Sequence, residues 1–86
     1  MWYVYILKSR KLNNWIYVGS TNKLSRRIKE HQESKCLSTK PYMPIYVVAY
    51  IAVISVKVAR SLEKYLKTGS GKAILKKRIL SDETLV

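Results

Sequence analysis

Carboxylates are scarce in this chain, and one of them stands apart from the others. Of the five acidic residues, Glu63 alone lies in mid-chain, among Arg60, Lys64 and Lys67. A lone carboxylate can hold one Mg²⁺ or Mn²⁺ ion together with water and phosphate oxygens, but so few carboxylates make a two-metal site improbable. Glu63 equally fits an exposed i, i+4 ion pair with Lys67, worth about half a kcal/mol. The spacing by itself leaves both interpretations open.

Two short tyrosine-containing segments could bring phenols close to a reacting phosphate. They are Tyr3-Val4-Tyr5 and Tyr17-Val18-Gly19, and both have the residue types that favour β-strands. Alternation along a strand places Tyr3 and Tyr5 on one face. A phenol is a poor base at its ordinary pKa of about 10, unless nearby cations lower that pKa. Tyrosines on a sheet also serve as core residues or cross-strand pairs, which is the alternative to a catalytic role.

Arg27 and His31 are a further pair of candidates. They stand at i, i+4 in a segment that predicts a helix, so their side chains share one face. Arg27 could bind a phosphate through two parallel hydrogen bonds, with His31 nearby as a proton carrier or phosphate donor. A solvated basic face is the alternative. One histidine and one cysteine in the chain exclude a zinc cluster.

The charge balance indicates the kind of partner. Seventeen Lys and Arg residues against five acidic residues give a formal net charge of +12. An excess of this size on a small domain favours a polyanion, usually nucleic acid, over a structural ribosomal-type role or an anionic membrane surface. The candidate phosphate contacts are the cations around the residues above, namely Lys23, Arg26, Arg60, Lys64 and Lys72.

The elements that must position these residues are predicted in the order β-β-α-β-α-α. This order predicts an α/β (α+β) fold with a small, mainly antiparallel three-stranded sheet flanked by three helices. The third strand is apolar throughout, so we expect it at the centre of the sheet. Strands are predicted over residues 3–8, 15–18 and 45–54, and helices from a cap at Thr21 or Asn22 to Gln32, over 56–67 and over 71–80.

Helix ends and apolar positions give further expectations. Ser55 is predicted to cap the second helix, Gly69 to terminate it, and Ser70 to cap the third. The expected core stripe of the second helix is Val58, Ala59, Leu62 and Leu66, and the apolar positions of the third are Ala73, Ile74, Leu75 and Ile79.

Length, cysteine usage and hydropathy set the remaining expectations. The 86 residues leave room for one domain, which we assign to residues 1–80, followed by a short tail at 81–86. A single cysteine, Cys36, and the absence of a secretory signal predict a cytoplasmic location. The longest apolar run is shorter than the roughly 20 residues that span a bilayer, so we expect no membrane partner.

Together these motifs resemble the GIY-YIG nuclease superfamily. Tyr3-Val4-Tyr5 stands in place of the first signature triplet, although Tyr3 replaces its glycine, and Tyr17-Val18-Gly19 stands in place of the second. The spacing from Gly19 to Arg27 and on to His31 is similar to that of the family. The C-terminal half resembles that of small stand-alone members, although no asparagine follows Asn22 where some members have one.

The resemblance implies a role for each candidate residue. Tyr17 would be the phenol closest to the attacking water, as general base or proton relay, and Tyr5 would be its partner across the hairpin. Arg27 would stabilise the pentacovalent phosphate, and His31 would orient groups or relay protons. Glu63 would hold one Mg²⁺ or Mn²⁺ ion.

The implied activity is that of a metal-dependent endonuclease that hydrolyses phosphodiester bonds, with DNA favoured over RNA as the partner. Selection of particular DNA structures and an unidentified protein partner are compatible with the sequence. The alternative is a non-catalytic nucleic-acid-binding module with the same fold.

Overall fold

The computed structural model describes residues 1–80, and the expected tail at 81–86 lies outside the described residues. The element order is β-β-α-β-α-α, as predicted, in an α+β fold. The strands are β1 (Trp2–Ser9), β2 (Ile16–Thr21) and β3 (Ile45–Val53). The helices are α1 (Leu24–Gln32), α2 (Val56–Leu66) and α3 (Gly69–Ile74), with a 3₁₀ turn at Lys40–Tyr42 and a π-helical segment at Leu75–Ile79.

The central strand of the sheet is β1, so the prediction that placed the third strand there is wrong. The order is β2-β1-β3, and both pairings are antiparallel. Val48 and Val53 of β3 pack with one core, and Ile45 and Val47 pack with the other. Both faces of β3 are therefore covered although its outer edge has no partner strand among residues 1–80. A continuous apolar run reports covered faces and does not distinguish a central strand from an edge strand.

The sheet separates two apolar cores. On one face, Val4, Ile6 and Val18 pack with Ala59 and Leu66 of α2 and with Leu75, which places α2 and the π-helical segment on that side. On the other face, Tyr5 and Leu7 pack with the apolar residues of α1, Leu24 and Ile28. The alternating side chains of β1 therefore contribute to both cores.

The caps of the last two helices depend on hydroxyl side chains. The Ser55 Oγ accepts a hydrogen bond from the Val58 backbone N–H at 3.2 Å, which confirms the predicted cap of α2. The cap of α3 is Thr68, whose Oγ1 accepts from the Gly71 N–H at 3.1 Å, and not Ser70. Because Thr68 fulfils this role, α3 begins at Gly69 and not after it.

Several predicted core positions are exposed. Val58 is 47% exposed, whereas Ala59 and Leu66 of the same helix are buried. Of the predicted apolar positions of the third helix, Leu75 is buried, while Ala73, Ile74 and Ile79 are exposed. The prediction assumed one continuous α-helix, and the change to π-helical geometry at Leu75 turns Ile79, which follows it, onto a different face. No helix within residues 1–80 is long and apolar enough to cross a membrane.

Candidate active site

The β1–β2 hairpin brings the two tyrosines together across a glycine. Tyr5 pairs with Gly19 in the register, and the rings of Tyr5 and Tyr17 lie 6.2 Å apart between centroids. A Cβ atom at Gly19 would lie only 2.5 Å from the Tyr5 hydroxyl oxygen and 3.0 Å from Cε1 of Tyr17. Glycine is therefore the residue that lets the Tyr5 side chain lie across β2.

His31 holds the Tyr5 hydroxyl from the opposite side. The Tyr5 hydroxyl is 2.9 Å from Nε2 of His31, and Nδ1 of His31 is 2.8 Å from the Thr39 Oγ1. The Thr39 hydroxyl donates in turn to the Cys36 carbonyl oxygen at 3.4 Å. This direction makes Nδ1–H the donor to Thr39 and leaves Nε2 to accept from Tyr5, an assignment inferred from the network.

The electrostatics of this cluster favour neutral rings. Burial raises the pKa of Tyr5 well above its ordinary value, and this effect outweighs the neighbouring Arg27, which lowers the pKa. Burial, followed by the charge of Arg27, lowers the pKa of His31. Cations were expected to make the phenols more acidic, and for Tyr5 burial reverses that expectation. Tyr5 is therefore a hydrogen-bond donor at neutral pH and not a base.

Arg27 lies at the border between this buried cluster and solvent. Its guanidinium interacts with the Tyr5 hydroxyl, which raises the pKa of Arg27, and its Nη1 donates to the Glu30 Oε1 at 3.1 Å. The hydrogen bond from Arg27 lowers the pKa of Glu30. Lys23 and Arg26 line the same open pocket, which has a volume of about 360 Å³. Such a pocket can take a phosphate between cations.

Glu63 approaches β2 from the face covered by α2. Its Oε1 accepts from the Ser20 hydroxyl at 2.5 Å, and its Oε2 accepts from Lys67 Nζ at 2.7 Å. Burial by itself would raise the pKa of Glu63, but the hydrogen bonds from Lys67 and Ser20 outweigh it and hold the pKa below its usual range. The carboxylate is therefore ionised at neutral pH. Arg60 and Lys64 complete an open pocket of about 400 Å³.

The tyrosine, Arg27 and His31 cluster lies on the α1 face of the sheet, and the Glu63 pocket lies on the α2 face. Both are next to the edge strand β2. Tyr17 belongs to the core on the α1 side, whereas Val18, one residue on, belongs to the core on the α2 side. Ser20 lines the Glu63 pocket and Thr21 lines the Arg27 pocket. The structure thus brings together Tyr5, Tyr17, Arg27 and His31, and it places Glu63 across the edge strand from them, with Lys72 outside both pockets.

Among the described residues, the surroundings of Glu63 suit a metal ion that keeps most of its water ligands and not an ion enclosed by protein ligands alone. Within residues 1–80, no group of three or more His, Cys, Asp and Glu side chains could hold a metal ion. Mg²⁺ usually retains several waters and binds through one or two carboxylates plus substrate phosphates. An ionised carboxylate in an open pocket meets that requirement, provided that the hydrogen bond from Lys67 opens and phosphate oxygens join the coordination shell.

Sequence reasoning missed three polar residues of the site. Ser20 follows the second tyrosine triplet directly, and strand alternation would have placed it opposite Tyr17 and Gly19. Glu30 lies three residues after Arg27 on the same helix, which is also a detectable signal. Thr39 lies in a polar loop and reaches His31 only through the tertiary fold, so no local pattern indicates it.

One comparison with known proteins identifies a family for the chain. No curated protein and no solved structure matches the chain significantly. The model of the GIY-YIG catalytic domain matches residues 1–78, which include the tyrosine hairpin, α1, β3 and α2. The match spans most of the chain, and the chain therefore belongs to the GIY-YIG family of nuclease-type catalytic domains.

Proposed function

We propose that this protein is a divalent-metal-dependent endonuclease that hydrolyses phosphodiester bonds in DNA. The observation that carries the proposal is that two unlike pockets open beside neighbouring residues of β2, one lined by Arg27, whose guanidinium interacts with the Tyr5 hydroxyl, and one lined by Glu63. A nucleic-acid backbone that follows this edge would contact both pockets. The net charge of +12 supplies the attraction for such a backbone.

On the α1 side, the residues would bind and orient the reacting phosphate. Arg27 would hold two of its oxygens and stabilise the charge that develops on them. The proton of Tyr5 is directed at His31, so Tyr5 would orient Arg27 but would not take a proton. Tyr17 is half-buried, and its ring lies beside those of Tyr5 and His31. Tyr17 is therefore the phenol left to accept or relay the proton of the water.

On the α2 side, Glu63 would hold one Mg²⁺ or Mn²⁺ ion. When bound, the ion would stabilise negative charge on the leaving oxygen. Ser20 would orient the Glu63 carboxylate through its hydrogen bond to Oε1. Arg60 and Lys64 would neutralise neighbouring phosphates of the same strand.

Place of action and preference for DNA structure complete the proposal. We place the protein in the cytoplasm, because its one cysteine is an unpaired, buried thiol that suits a reducing compartment. The cationic pockets would contact phosphates, which are the same at every base sequence. The structure of the DNA, or a partner protein that recruits the domain, would therefore select the cleavage target.

The second candidate function is nucleic-acid binding without cleavage. The carboxylate of Glu63 already accepts hydrogen bonds from Lys67 and Ser20 and stands among three cations. Such an arrangement also suits a purely structural ion pair. The two candidates differ in whether the carboxylate is needed for chemistry or only for packing.

The deciding experiment incubates labelled duplex, nicked, flapped and branched DNA, and matching RNA, with the protein and Mg²⁺ or Mn²⁺. We expect cleavage by the natural protein and its loss in Glu63→Gln, with binding retained. Glu33→Gln is the matched control, because Glu33 is an exposed carboxylate paired with Lys35 outside both pockets. If the natural protein cuts none of these substrates with either ion, the binding module replaces the nuclease.

A further inference from the structure

The half-buried Tyr3 and the exposed Tyr50 form an aromatic surface beside the proposed active site, which we call the aromatic shelf. Their ring centroids are 6.1 Å apart with an interplanar angle of 68°. Tyr50 pairs with Tyr5 in the register between β1 and β3, so its side chain emerges on the face that α1 covers. The shelf is therefore next to the buried Tyr5, with Tyr3 two residues before it on β1 and Tyr50 opposite it on β3.

The shelf has no evident role in holding the fold. Tyr50 is 58% exposed, and among the described residues neither Tyr3 nor Tyr50 belongs to either apolar core. The other tyrosine of β3, Tyr46, has the guanidinium of Arg10 over its ring at 4.4 Å from the centroid. Two aromatic rings in contact, one of them open to water, offer a surface on which a planar ligand can stack.

Cations surround the shelf and link it to Arg27. An open depression of about 450 Å³ contains both tyrosines together with Asn22, Lys23 and Arg26. The same Asn22, Lys23 and Arg26 also line the pocket that contains Arg27. One uninterrupted polar and cationic surface thus leads from the aromatic rings to the proposed phosphate position.

We infer that the aromatic shelf stacks an unpaired nucleobase of the substrate, while Lys23 and Arg26 hold the flanking phosphates and direct the strand towards Arg27. Aromatic rings interleaved with cations are the usual platform for single-stranded nucleic acid. Within a duplex each internal base has both faces covered by its neighbours, so an unpaired base can stack on Tyr50 where an internal base pair cannot. The substrate class is therefore nucleic acid with an unpaired segment, such as an overhang, flap or loop.

The direction of the strand rests on the proposed function, but stacking itself does not require cleavage. The test therefore measures binding in the presence of a chelator, with a DNA duplex that carries a short unpaired overhang. The matched probe has the same overhang with abasic nucleotides, which keep the phosphates and remove the bases. The natural protein should bind the base-containing overhang about fivefold or more tightly than the abasic one.

Substitutions at Tyr50 assign this preference to the shelf. Tyr50→Leu should bring the two affinities close together by weakening only the base-containing complex, and Tyr50→Phe should retain the preference because its ring can still stack. Tyr65→Leu is the matched control, since Tyr65 is 41% exposed on α2 and lines a pocket that shares no residue with the depression of the shelf. Tyr65→Leu should leave both affinities unchanged.

Equal affinity of the natural protein for the two overhangs would overturn the inference, and so would an equal loss of both affinities in Tyr50→Leu. If Tyr50→Leu fails to fold, the preference of the natural protein and its retention in Tyr50→Phe decide the matter. Cleavage without any base preference would refute the shelf alone. A base preference in a protein that cuts nothing would refute the nuclease and leave the shelf standing.

Discussion

The hydroxyl of Tyr5 lies 2.9 Å from Nε2 of His31, with both side chains buried between the sheet and α1. This contact binds a strand residue to a helix residue through groups that water cannot reach. Thr39 forms a hydrogen bond with the other ring nitrogen of His31. Among the described residues, no buried side-chain N or O atom lacks a hydrogen-bond partner. A satisfied buried network of this kind fixes the orientation of its members.

The first prediction concerns the dependence of stability on pH. His31 has a lowered pKa and is neutral in the folded protein, whereas the unfolded chain protonates it near its ordinary value of about 6.5. The unfolded state then binds more protons as the pH falls, so the free energy of unfolding should decrease between about pH 7 and pH 5. Urea denaturation across this range measures the effect.

The control for this effect is His31→Gln, which removes the titrating ring and keeps polar atoms near Tyr5 and Thr39. This variant should be less stable overall and should show a flatter dependence on pH in the same window. Glu30 and Glu63 have lowered pKa values, so their contribution is lost only at more acidic pH. An identical slope in the variant and the natural protein would show that His31 does not cause the decrease.

The second prediction concerns Thr39, which holds the Nδ1 of His31. Thr39→Val keeps the shape and removes the hydroxyl, so a buried N–H loses its acceptor at a cost of about 1–3 kcal/mol in the free energy of unfolding. Thr39→Ser retains the hydroxyl and should cost less. Nitrogen NMR shifts of His31 should show a single neutral tautomer, with Nδ1 protonated, in the natural protein. The opposite tautomer would contradict the direction of the network.

Much of the fold could be predicted from local patterns. Tyr, Val and Ile in β1 and β2, and the spacing of Leu24 and Ile28 in α1, identify elements that the structure contains. The order of strands could not be predicted in the same way, because the apolar run of β3 reflects helices on both of its faces. Which edges remain free depends on tertiary pairing, and hydropathy carries no information about it.

The candidate site could be predicted only in part, for a related reason. Helical spacing is local, and it indicated that Arg27 and His31 share one face of α1, whereas the contact of Tyr5 with both depends on how α1 packs against the sheet. Glu63 is 43 residues away in the sequence from Ser20, its hydrogen-bond partner. Its position therefore depends on how α2 packs against the sheet. Nothing in the local sequence shows the face from which α2 approaches.

The third prediction compares two glycines. Gly19→Ala would place a Cβ atom 2.5 Å from the Tyr5 hydroxyl oxygen, so the ring must move and its hydrogen bond to His31 must weaken. We expect a loss of about 1–3 kcal/mol in the free energy of unfolding. Gly69→Ala is the control, because a Cβ there meets nothing within 4 Å in the described residues. It should be neutral or stabilise by a few tenths of a kcal/mol, at the first residue of α3.

The result for Gly19→Ala would be contradicted by a variant as stable as Gly69→Ala, measured by the same urea denaturation. The accompanying change at His31 can be followed independently by its ring NMR signals. A stable Gly19→Ala variant with unchanged signals of His31 would mean that the ring of Tyr5 has more freedom than its packing suggests.

The last prediction separates the charge of Arg27 from its shape. Arg27→Lys keeps a cation beside Tyr5 but loses the planar, bidentate guanidinium, so it cannot hold two phosphate oxygens in one orientation. Cleavage by the proposed nuclease should fall about 100-fold, since an oriented donor to the developing charge is lost. DNA affinity should change little, because binding depends mainly on the number of cations.

Arg26→Lys is the matched control on the same helix, where the side chain of Arg26 is 75% exposed and its Nε lies 3.6 Å from the Glu30 carboxylate. It should alter neither cleavage nor binding appreciably. Single-turnover cleavage and binding in a chelator would be measured on one DNA substrate, and equal rates for Arg27→Lys and Arg26→Lys would remove Arg27 from the reacting centre.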